Sequence, residues 1–183
     1  MSRGRIVFEG NPWPEGHAVE DFEWTARVED GEVWFDLHLA TAAYYAEREI
    51  EQDEDDDDSW TSPSVWGNYH RCTLSSTFWG ESGGFRAGPL AQLSAAALDG
   101  AEFLVDPVGE EIGDAEDLAF GLYLLGHDSA AGHRIRFLRR GDSDRFDILW
   151  SGLIALTYVG RYRPDYRFQA RIEDVPMPTP RAP

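Results

Sequence analysis

Between Phe22 and Leu39 the chain alternates apolar and polar residues on both sides of Asp30-Gly31. Asp-Gly between two such runs is a strong two-residue hairpin signal, because both turn positions favour positive φ. With that turn, paired residues sum to 61: Val28 faces Val33, Ala26 faces Phe35, Trp24 faces Leu37 and Phe22 faces Leu39 on one side. Arg27 with Trp34, Thr25 with Asp36 and Glu23 with His38 fall on the other. A slip of one residue would mix the faces, so the pattern and the turn select the same register. Each apolar side chain buried there contributes about 1.5–3 kcal/mol, which places the hairpin on the core.

A second stretch reads as a central strand. Phe146, Ile148, Trp150, Ile154 and Leu156 share one face of Arg145 to Thr157, and Gly152 in their row marks a bend, a bulge or a close backbone approach. The odd positions Leu149, Leu153 and Ala155 are apolar too, so a cover is expected over that face; a short helix over Pro89 to Leu98 is the candidate. Tyr166 to Ile172 forms the return arm. Further strands are expected at Arg5 to Glu9, Tyr69 to Thr77 and Ala101 to Val105. Another is favoured at Asp117 to Leu125, against a helix, pairing with Arg134 to Leu138. Ala40 to Ile50 has a helical composition but continues the alternation, and the reading leans to a long strand ending near Glu47. The expected fold is mainly β: antiparallel sheets in a sandwich-like meander with one or two short helices, α+β being the variant. Residues 1–175 form one globular domain, with an acidic loop at about 47–64, and the proline-rich 176–183 is a frayed tail.

Composition narrows the function. The 183 residues include one cysteine, Cys72, so neither an internal disulfide nor a cysteine metal cluster is available. No apolar run approaches the ~20 residues of a membrane-spanning helix, and MSRGRIVFEG lacks a secretory signal's apolar centre, so a cytoplasmic bacterial protein is expected. Formal net charge is −18, yet residues 134–171 hold nine arginines against four acidic residues. Glu47 to Asp58 holds nine acidic residues in twelve and reads as a solvated loop. Its Asp53, Asp55 and Asp57 have the spacing of a calcium loop, but Asp58 and Ser64 stand where that loop needs glycine and glutamate. No metal site and no cofactor is therefore assigned.

The preferred function is a non-enzymatic acidic module that binds a basic protein, such as an immunity or inhibitor protein against a basic toxin or nuclease, or an accessory subunit. Its contact residues would be Glu51, Asp53, Asp55, Asp56, Asp57 and Asp58, with Trp60 and Trp66 as flanking aromatic anchors. The alternative is a small hydrolase or metal-dependent enzyme using the acidic loop or His70 and Cys72, which a strand would place on one face. His38 opposite Glu23 reads as a cross-strand surface pair. Arg161, Tyr162, Arg163, Tyr166 and Arg167, with Arg134, Arg136, Arg139 and Arg140 a strand away, would suit RNA in a basic protein. At −18 nucleic acid is disfavoured, and these arginines are expected to pair internally or cover apolar surface.

Overall fold

A computed structural model describes residues 3–48, 60–80, 83–112 and 117–181. Ten strands form one antiparallel sheet: β1 Gly4–Phe8, β2 His17–Glu29, β3 Glu32–Thr41, β4 Thr73–Ser75, β5 Phe85–Pro89, β6 Glu102–Val105, β7 Gly121–Tyr123, β8 His127–Arg139, β9 Arg145–Ala155 and β10 Tyr166–Pro176. Two short helices, α1 Pro63–Gly67 and α2 Ala95–Leu98, interrupt them. The order β2-β1-β10-β9-β8-β7-β4-β3 is closed by pairing of β3 with β2, making a barrel of eight strands, while β5 and β6 add to β3 and β8. The mainly antiparallel β reading stands, and the sheet closes on itself where two facing sheets had been expected.

The hairpin of β2 and β3 has the register its alternation requires, from Phe22↔Leu39 to Val28↔Val33. Asp30 and Gly31 take φ of 51° and 80°, the doubly positive turn that continues the strand twist. Trp24, Phe35, Leu37 and Leu39 thereby enter the core beside Phe137 and Phe146 of β8 and β9.

β9 is central, paired with β10 and β8. Gly152 is a close approach: a Cβ there would lie 2.7 Å from Phe168 Cε1 and 2.9 Å from His133 Nδ1. The ladder to β10 runs unbroken through Gly152↔Phe168, whereas the bulge lies opposite on β8, at Gly132-His133. That extra residue turns His133 inward.

Several expectations require correction. β3 stops at Thr41, and 42–48 holds turns and bends. β4 is only Thr73–Ser75, since His70 and Cys72 precede it in irregular chain. β7 pairs with His127 to Ser129, whereas Arg134 and Arg136 face β6. The outer face at Ala155 and Ala131 is covered by Val108, Ile112 and Leu118 from the loop after β6, and α2 packs elsewhere, with Leu98 in the main core. The tail is held: Arg181 N–H donates to Ala26 O, Val28 N–H donates to Arg181 O, and Met177 packs on the core.

Candidate functional site

An eight-stranded barrel is just wide enough for its own side chains to fill. Here they do. Trp24, Phe35, Phe120, Phe137, Phe146, Trp150 and Phe168 are buried and touch in ring contacts such as Trp24–Phe137 at 4.8 Å and Phe120–Trp150 at 4.8 Å. His133 sits among them. Burial pushes its pKa down to about 3, so it is neutral; Trp150 Nε1–H donates to Nδ1 at 3.2 Å and Nε2–H is left to donate to Ala130 O at 3.2 Å. It is a satisfied core histidine, and Asp106, whose carboxyl burial pushes up, lies 4.0 Å from it.

Trp60 and Trp66, read above as surface anchors, are core residues. Their relative exposures are 2% and 0%. α1 turns Trp66 into one region of the core, where it meets Phe8, Trp13, His17, Tyr44 and Trp60 at centroid distances of 5.0–5.9 Å. Trp60 stacks on Tyr166 at 4.1 Å and donates to Glu9 O at 2.8 Å. His17 stacks on Trp66 within this cluster; burial, then the nearby Arg48 guanidinium, push its pKa down to about 4. Glu51, Asp53, Asp55, Asp56, Asp57 and Asp58 lie outside the described residues.

The His70–Cys72 form of the enzyme reading loses its nucleophile. Cys72 is fully buried, and desolvation, with Asp128 adding repulsion, raises its thiol well above the ordinary value. His70 is exposed and contacts Tyr45 Oη and Arg71. One faces solvent and the other the core. His38 pairs in register with Glu23, yet its ring contacts Ser75 Oγ at 3.0 Å and has Asp21 Oδ2 at 3.8 Å as its carboxylate neighbour. Among the described residues, no three His, Cys, Asp or Glu side chains are grouped to hold a metal ion.

What remains is the outside of the barrel, where charge is sorted by strand. On β9 the outward row is Leu149, Ser151 and Leu153. Arg136 and Arg134 of β8 stand beside Leu149 and Ser151, while Arg171, Gln169 and Arg167 of β10 stand beside Leu149, Ser151 and Leu153 on the other side. A depression of about 620 Å³ is lined by the Leu149 and Ser151 end together with Arg5, and one of about 290 Å³ by the Ser151 and Leu153 end. Both are lined by Arg134, Ser151 and Gln169, so they adjoin.

Internal pairing accounts for many of these arginines, as expected. Arg5 binds Glu47 at 2.9 Å, Arg134 lies 3.5 Å from Glu102, and Arg140 and Arg171 converge on Asp147 at 2.6 and 3.3 Å. Desolvation would raise the Asp147 carboxyl, but the two guanidiniums and the Asp174 N–H hold it below its usual value. The guanidiniums of Arg136 and Arg167 have no ion pair or hydrogen bond among the described residues. Period-two alternation signalled this face in the sequence: Arg134-Ile135-Arg136-Phe137 and Arg167-Phe168-Gln169-Ala170-Arg171 each put guanidiniums on one side and core residues on the other.

Comparison of the chain with protein-family models, with curated proteins and with solved structures finds no match.

Proposed function

We propose that this protein is a non-catalytic binding module that holds a basic protein partner by charge. The observation supporting the reading is the filled barrel: side chains pack its interior, while charged groups and the depressions described above lie on its exterior. With Cys72 buried and His70 turned to solvent, the form of the enzyme alternative that pairs these two residues is disfavoured, while its acidic-loop form falls outside the described residues.

The acidic run is the proposed contact for the partner. Five consecutive or near-consecutive aspartates, Asp53 and Asp55 to Asp58, concentrate negative charge in one short segment, which speeds encounter with a basic surface and makes the complex sensitive to salt. An immunity or inhibitor protein that neutralises a basic toxin or nuclease is the form of this function that best suits a small, acidic chain. Replacing Asp53, Asp55, Asp56, Asp57 and Asp58 by Ser is expected to leave the circular dichroism spectrum unchanged and to reduce retention of the partner by about tenfold or more at low salt. Unchanged retention would remove the run from the interface.

A further inference from the structure

The furrow over β9 is a site of its own, resting on observations separate from the acidic run. Its floor is the outward row Leu149, Ser151 and Leu153, half-buried side chains that leave a shallow track about 13 Å long at ~3.3 Å per residue, apolar at both ends with a hydroxyl between. The strands on both sides, one spacing of ~4.8 Å away, carry the arginines that flank the track. Rim carboxylates neutralise part of this charge, since Glu102 lies near Arg134 and Asp147 binds Arg171, and Glu9, accepting from the neutral Gln169 at 3.3 Å, adds a further carboxylate at the rim. Arg136, in register with Glu102 of β6, and Arg167, at the opposite corner, are exposed and make no ion pair or hydrogen bond among the described residues.

We infer that this furrow binds a short, extended acidic peptide segment. Arg134 and Arg136 are two residues apart on one strand, so their side chains are spaced by ~7 Å, the spacing of carboxylates at alternate positions of an extended peptide. Guanidinium forks match carboxylates in bidentate geometry, and the methylene stems of glutamates cover Leu149 and Leu153. A nucleic acid strand fits less well. Among the described residues the furrow's lining offers no aromatic ring for base stacking, because Trp150 and Phe168 point inward and are 1% exposed. A long polyanion would also run from the furrow over a surface whose whole-chain charge is −18. A short ligand avoids this, since charges beyond ~8 Å are screened at physiological ionic strength.

The test is fluorescence anisotropy of a fluorescein-labelled octapeptide alternating glutamate and serine, titrated with the full chain at physiological ionic strength. Its glutamine-serine counterpart and a labelled strand of eight thymidines serve as the other arms. Saturable binding of the glutamate peptide alone is expected, about tenfold weaker in the double variant Arg136→Gln/Arg167→Gln. Neither guanidinium makes an ion pair or hydrogen bond among the described residues, and near-ultraviolet circular dichroism of the double variant checks that its core is intact. If the double variant loses that signal, the two single variants are measured, each expected to weaken binding about threefold. The inference fails if the glutamate peptide does not bind, if folded variants bind it as tightly as the parent, or if the thymidine strand binds as tightly as the peptide. Failure here leaves the acidic-run reading standing, since that is measured with a different partner and different variants.

Discussion

Burial decides which chemistry a residue retains, and His17 shows it most clearly. Enclosed by Phe8, Trp13, Tyr44 and Trp66, it stays neutral down to about pH 4, while its unfolded counterpart protonates near 6.5. Between those values the unfolded chain binds more protons, so stability is full above 6.5 and falls as pH drops below it. From pH 7 to pH 5, His17 is expected to remove about 2 kcal/mol from the unfolding free energy. His133, neutral down to about 3, works in the same direction. Asp106 and Asp128, raised by burial, work in the opposite direction, but they are common to parent and variant and cancel in the difference. Urea unfolding at the two pH values should therefore show His17→Phe losing about 2 kcal/mol less than the parent. Equal losses would mean that His17 is not held neutral.

At the scale of elements, strands were legible where period two and a turn signal coincided. The β2–β3 hairpin is the clearest case, because Asp30-Gly31 fixes the turn and the turn fixes every pair. Legibility ended where a partner decided the outcome. Ala40 to Glu47 continues the alternation, yet β3 stops at Thr41, where Thr41 N–H turns to Cys72 O and Tyr44 N–H to His70 O. Trp60 and Trp66 flank an acidic run and so resembled interface anchors. Only the turn of α1 shows that they plug the core. The furrow was hidden for a related reason: its arginines alternate visibly on β8 and β10, but the bulge at Gly132-His133 sets which residues of β8 face β9's outward row, and no local pattern announces it. Gly152 faces that bulge. Gly152→Ala would press a methyl group on Phe168 and His133 and is expected to destabilise by about 1–3 kcal/mol in thermal or urea unfolding. A neutral substitution would show that β8 and β9 have room to part there.

For the whole molecule, closing the sheet removes most edges and fills the interior, so binding is left to the outside. Charge is sorted there, with an arginine-bordered furrow over β9 on a chain of net charge −18. No described helix is long and apolar enough to cross a membrane. The sequence conveyed the charge imbalance and the strand content, but not the closure, which depends on β1 pairing with both β10 and β2 across the length of the chain. The most direct measurement of the central claim is affinity capture with the intact protein from a lysate of its own organism, at low and at moderate salt, with the retained proteins identified and quantified by mass spectrometry. One basic protein is expected, near stoichiometric at low salt and depleted at moderate salt. No retained protein at either salt, or a partner whose retention ignores salt, would contradict it.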